Sequence, residues 1–144
     1  MSDSSDLDAM ILTVLSADAA LMAIATNGVW FDVAPPASTR FVIVTLQTET
    51  DETEFTDTAW EHAQYLIKAT LLNGSGADIK VAAQRIHVVI QGLEARIDPA
   101  TLPGYRLMRA QRVERVRYLE VDPEAPDLRW QHRGGMYEFF AQPT

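Results

Sequence analysis

Between Ala63 and Leu93 the hydrophobic period of the chain changes once, and that change restricts the folds open to it. Ala63, Tyr65, Ile67, Ala69 and Leu71 are apolar, while His62, Gln64, Lys68 and Thr70 fall between them. This two-residue period predicts a strand with one buried face. Asn73-Gly74-Ser75-Gly76 interrupts it, because glycine reaches backbone angles that other residues avoid. Beyond the break, Ile79, Ala82, Ala83, Ile86, Val89, Ile90 and Leu93 share one stripe at about 100° per residue, the signature of an amphipathic helix. A strand feeding a helix through a short polar loop forms a two-layer unit, with Ser75 or Asp78 placed to cap the helix.

The remaining elements are read outward from that unit. Leu7, Met10, Ile11, Val14 and Leu15 have helical spacing, and Ser16 is the expected N-cap of a continuation through Ala25. Asp18 lies near the favourable end of that continuation, and Asn27-Gly28 stops it, giving one broken helix or two short ones. Val29–Val33 predicts a brief edge strand ending at Pro35-Pro36. Arg40–Thr48 is apolar on both faces and predicts a central strand. It connects to the Ala63 strand through an acidic excursion, Glu49–Thr58, an extended loop or hairpin arm. Asp98-Pro99 and Pro103-Gly104 predict a turn-rich connection. Tyr105–Val121 is read as a strand, although its arginines keep a period of three that suits neither template. Leu128–Gln142 predicts an aromatic strand with a bulge at Gly134-Gly135. The order α, β, β, β, α, β, β gives an α+β fold: a mostly antiparallel sheet with helices on one face, in a single domain over residues 1–144 with 1–6 frayed.

Composition removes several functions. No apolar run approaches the roughly 20 residues that span a bilayer. The opening MSDSSDLD has neither the basic start of a secretory signal nor the arginines of a transit peptide. Without cysteine there is no disulfide, thiolate nucleophile or zinc–sulfur site. A net charge of −8 disfavours free nucleic acid as a partner for the surface as a whole.

Catalytic, metal and cofactor signatures are not found. His62, His87 and His132 lie in three different elements with no HxxxH or HExxH spacing, and read as solvated or structural. Asp51-Glu52-Thr53-Glu54 has the charge of a calcium loop without its alternating ligands, glycine or closing glutamate. Asn73–Gly76 lacks the lysine and spacing of a phosphate loop, and no GxSxG elbow occurs. The expectation is therefore no enzyme and no cofactor.

Charge placement is more informative. Glu49, Asp51, Glu52, Glu54, Asp57 and Glu61 form an acidic block with no base among them. Arg106, Arg109, Arg112, Arg115 and Arg117 form a basic one, interrupted by Glu114. Arginine suits interfaces through its planar paired hydrogen bonds. The blocks read either as two solvated strands or as complementary surfaces meeting between copies. Val81 and Val88 point away from the helix's main stripe with Arg85 between the two surfaces, a small apolar spot for a loop of the same chain or for a neighbouring subunit.

Taken together, the parts resemble the tail-completion, or tail-terminator, proteins of long-tailed bacteriophages. The resemblance rests on Leu15-Ser16-Ala17-Asp18-Ala19-Ala20-Leu21, the Gly28-Val29-Trp30-Phe31 strand, the Ala34-Pro35-Pro36-Ala37 link and the strand Phe41–Leu46. Farther on it rests on the strand Tyr65–Leu72, the helix Ala83–Ile90, the arginine-bearing strand and the closing Met136–Phe140. Thr39-Arg40-Phe41 stands where the family often has a proline-aromatic pair. The resemblance implies a structural virion subunit in a hexameric ring at the head-proximal end of the tail. Such a ring stops tube polymerisation, joins the head connector and passes DNA through its lumen without specific binding. The implied partners are further copies, the tail tube protein and the connector, with the chain made in the host cytoplasm and no membrane involved. Competing readings are another head–tail joining or tube component, and a ligand-binding domain or enzyme whose enclosed pocket is lined by Trp30, Trp60 and Trp130.

Overall fold

The computed structural model describes residues 5–54, 57–95 and 105–143, with side chains at 7–48, 62–93 and 109–141. Two helices, α1 (Ser5–Ser16) and α2 (Ala19–Ile24), precede three strands, β1 (Val29–Phe31), β2 (Arg40–Glu54) and β3 (Asp57–Leu72). Helix α3 (Gly76–Gln91) and a single 3-10 turn (Gly92–Ala95) lead to β4 (Tyr105–Val121) and β5 (Arg129–Pro143). One five-stranded sheet runs β1-β2-β3-β5-β4, antiparallel except for the parallel β1–β2 pair. The predicted α+β class and the helix-on-strand unit are both present. The expected turns at 98–104 and the fraying of residues 1–4 lie outside the described residues, whereas Ser5 and Asp6 already belong to α1.

Period-two burial organises the core. Ala63, Tyr65, Ile67, Ala69 and Leu71 are all fully buried on one face of β3, joined from β5 by Tyr137, Phe139 and Ala141. Onto this face α3 lays Ile79, Ala82, Ile86, Val89 and Ile90, while α1 contributes Leu7, Met10, Ile11 and Leu15, and α2 Leu21. Each such aliphatic side chain contributes about 1.5–3 kcal/mol on leaving water. Tyr65 meets Phe139 edge-on at 5.4 Å and donates its hydroxyl hydrogen to Asp8. The polar tip of a buried ring is thereby satisfied.

Two local expectations, the helix cap and the glycine bulge, are corrected, and one of two open alternatives for the acidic excursion is found. The cap expected at Ser16 is made by Asp18 instead. Helix α1 runs through Ser16, whereas Asp18 is extended (φ −82°, ψ 106°) and accepts from the Leu21 N–H at 3.0 Å. The acidic excursion is a continued ladder from Glu49↔Ala63 to Glu54↔Asp57, so its described backbone is the hairpin arm rather than a loop. Gly134-Gly135 is not a bulge. The register shifts flanking this region lie on the partner strand, between Leu107 and Arg109 and between Arg112 and Glu114. A Cβ on Gly134 would lie 2.1 Å from the Ile67 carbonyl oxygen and 2.5 Å from Lys68 Cα, so the glycine is required by close backbone approach of β3.

The predicted loop into α3 behaves as expected. Ser75 Oγ accepts from the Asp78 N–H at 3.0 Å, and Asn73 takes φ 49° to turn the chain. The edge strand β1 is confirmed, though it ends at Phe31 because Asp32 adopts φ 63°. Strand β2 is flanked on its outer side by β1 only at Val42–Val44, so it is central over a short stretch.

Substituting Gly134→Ala should destabilise the fold by about 3 kcal/mol in urea unfolding, because rigid backbone cannot yield. By contrast Gly76→Ala, whose new methyl meets no atom within 4 Å, should be neutral or stabilise by about 0.5 kcal/mol.

Candidate functional site

The arginine-bearing strand owes its function-bearing face to an irregularity. Arg109 pairs with Phe140, whose side chain lies on the face away from the helices. Arg112, Arg115 and Arg117 pair with Tyr137, Gly135 and Arg133, positions on the helix-bearing face. Strict alternation would put Arg112 and Arg115 on opposite faces, but Val113 has no partner in the register, and this one-residue bulge keeps them together. The period of three that fitted neither template is thus the signature of a bulged strand. Gly135 pairs with Arg115 just past the bulge, and a Cβ there would come within 2.9 Å of Arg112 Cδ and of the Glu114 carbonyl oxygen.

These arginines lie beside the polar flank of α3. Lys80, Gln84 and His87 fall on one side of the helix and, with Arg112, Arg115, Arg117 and Arg133, line an open groove of about 450 Å³. No carboxylate lines it, and among the described residues none of its five cations is in an ion pair. At its base Tyr137 is fully buried, with its hydroxyl 3.3 Å from His87 Nδ1. Burial pushes the Tyr137 phenol up to about 12, against the pull of Arg112 and Arg115. His87 is held below the usual histidine range, first by burial and then by the positive charge of Arg112 and Arg115. Cationic arginines beside this histidine make an anion-receiving surface.

The other predicted site residues are dispersed. Arg106 lies in β4 with its side chain outside the described residues, and Arg109 donates to Gln111 on the opposite face. Arg85 is engaged within the chain, donating through Nε to Asp18 Oδ2 at 3.0 Å and through a terminal nitrogen to Oδ1 at 2.6 Å. Val81 and Val88 are 41% and 48% exposed, so no loop of the described chain covers them. Glu49, Asp51, Glu52, Glu54 and Asp57 lie on the arm formed by β2 and β3, with side chains outside the described residues. Sequence reasoning missed Lys80, His87 and Arg133 as members of the basic surface. Lys80 and His87 are seven residues apart on one helix, a signal present in the sequence, while Arg133 is brought in only by strand pairing.

The sheet's second face holds the remaining histidines. His132 is buried, with Nδ1 3.0 Å from Thr70 Oγ1 and its ring stacked at 4.3 Å on Tyr118. Its pKa is lowered by burial and by Lys68, against an opposing pull from Glu120. Glu120 Oε1 lies 2.6 Å from Nε2, without the alignment of a hydrogen bond. His62 stacks on Phe140 at 4.4 Å and faces Glu138 at 3.2 Å. Trp130 packs against Phe41, Trp30 is 39% exposed, and Trp60 lies outside the described side chains. Neither Trp30 nor Trp130 lines the groove. Among the described residues no three acidic or histidine side chains gather as a metal site, and no helix is long and apolar enough to cross a membrane.

Comparison with known proteins gives one kind of answer. No family model matches the chain, and no curated protein matches it. The fold, however, has a solved counterpart. A chain from the virion of a native gene transfer agent particle superposes with a TM-score of 0.68, covering 96% of each chain at 20% sequence identity.

The groove makes a pH prediction. His87 faces Lys80 from its own helix, Arg112 and Arg115 from β4, and Arg133 and Tyr137 from β5. A histidine whose folded pKa is depressed binds fewer protons in the folded state than in the unfolded one. Its contribution to stability is complete above the unfolded pKa of about 6.5 and is lost as pH falls below it. His132 has the same sign. Stability should therefore fall between neutral and mildly acidic pH, and His87→Gln should reduce that fall when unfolding midpoints are compared across the window.

Proposed function

We propose that this chain is a structural subunit of a phage-like particle, a tail terminator that closes into a hexameric ring at the head-proximal end of the tail tube. The observation that carries the reading is the fold shared over nearly the full length with a gene transfer agent virion chain. The sequence resemblance to tail-completion proteins points the same way, and the geometry suits it. One chain carries two charged surfaces of opposite sign: the acidic arm of β2 and β3, and the basic strand β4, with β5 between them in the sheet. Surfaces that complement each other but differ are those of a head-to-tail ring contact, where each copy gives one patch and receives the other. Val81, Arg85 and Val88 on the outer side of α3, and the arginines at 106, 109, 112, 115 and 117, are the proposed subunit contacts.

In this role the tail tube protein and the head connector are the partners on the two ring faces. DNA passes through a lumen whose acidic subunits discourage adhesion, a role that the net charge of −8 suits. The protein acts by assembly, as a virion component without catalysis or cofactor.

Light scattering combined with negative-stain microscopy tests the reading. Closed rings of about hexameric mass, formed alone or on purified tails, are the expected outcome. Open tubes would assign the chain to the tube instead. A monomer that also fails to bind purified tails would overturn the assignment. Reversing Arg109 and Arg115 to glutamate should shift the mass distribution toward monomer, since like charge at a docking contact opposes association.

A further inference from the structure

The basic groove between α3 and β4 is out of character with the molecule that carries it. The chain has a net charge of −8, yet Lys80, Arg112, Arg115, Arg117 and Arg133 converge with no lining carboxylate. Like charges gathered without counter-ions repel one another, and a bound anion relieves that repulsion. We propose that the groove is a carboxylate-binding site whose occupant is the acidic hairpin tip, residues 49–61, of a second copy. The proposal rests on the ring reading above and supplies its contact.

Three arguments select this occupant. The first is chemical: four of the five cations are arginines, whose planar fork accepts a carboxylate through two parallel hydrogen bonds. The tip offers Glu49, Asp51, Glu52, Glu54, Asp57 and Glu61 with no base among them. The second is geometric. Strand β5 pairs with β3 only as far as Glu61↔Ala141, so beyond that point the arm is a two-stranded ribbon projecting past its neighbour. A few carboxylate side chains on the edge of such a ribbon suit a groove of about 450 Å³. The third is that a chain cannot serve its own groove. Arg115 aligns through Gly135 with Ile67, and the tip begins six residues away at Glu61, roughly 20 Å along the strand at about 3.3 Å per residue, and runs farther off from there. The sheet holds these positions apart, so the tip must come from another copy. His87 at the base, neutral between two arginines, gains a proton more readily once carboxylates arrive, which would make docking tighter at mildly acidic pH.

The test uses the full chain and a fluorescein-labelled synthetic peptide of residues 49–61, read by anisotropy. The receiving protein carries Glu49→Gln, Asp51→Asn, Glu52→Gln, Glu54→Gln and Asp57→Asn, so that its groove is open to the probe, and circular dichroism confirms its fold. The expected result is saturable binding that weakens with added salt. It should weaken by about tenfold or more when the six tip carboxylates of the peptide are amides, or when Arg115→Glu and Arg117→Glu are added to the protein. Equal binding to the protein with and without the arginine reversals, or no binding at all, overturns the proposal. Closed rings formed by the amidated-tip protein would likewise overturn it while leaving the ring reading in place. Peptide capture by a protein that forms no rings, even on purified tails, would uphold the site and remove the ring.

Discussion

The fold depends on how closely β5 can approach β3. The pairing of these two strands forms the floor on which α3 lies, and it places Tyr65, Ile67, Tyr137 and Phe139 in one buried sheet face. The approach is tight enough at Gly134 that a single methyl group would enter the backbone of the neighbouring strand. With that seam in place, the helix stripe has a complementary surface and the first two helices fill what remains of it. The charged elements are then positioned as by-products. Strand β4 attaches to the far side of β5, and the acidic ribbon extends from the far end of β3.

Much of this organisation is legible in the sequence because burial is periodic. The alternation from Ala63 to Leu71 and the stripe from Ile79 to Leu93 each correspond to fully or nearly fully buried residues, except Ala83, which is half-buried and lines the groove. The capping role of Ser75 is legible for a local reason: the hydroxyl and the N–H it satisfies are three residues apart. Features set by partners distant in sequence are less visible. Asp18 rather than Ser16 caps α2 because the preceding helix takes in Ser16, one residue beyond its apolar spacing, and because Arg85, far along the chain, holds the Asp18 carboxylate. A pair of glycines signals either a bulge or a close approach, and only the neighbouring strand decides which.

The candidate site was legible in part for the same reason. Five arginines at short spacing mark β4 as unusual, but their partition between faces is decided by an unpaired valine. Arg109 belongs with Phe140 and the aromatic–polar face, whereas Arg112, Arg115 and Arg117 belong with α3. The contribution of Arg133 arises from strand pairing across a hairpin turn that Asp122 fixes by accepting from the Glu124 and Ala125 N–H groups. A basic surface assembled from a helix, an edge strand and its neighbour has no linear signature.

The bulge also sets where this chain can change length. Loss of almost any residue within a paired strand exchanges the buried and exposed sets of everything beyond it. Val113 is different, because it faces no partner and the residues on either side already continue the alternation without it. An in-frame loss of that codon would straighten β4 locally while leaving Arg112 and Arg115 on their present face. Related genes that differ by one codon at this point would therefore encode subunits of the same chemistry but of slightly different sheet curvature.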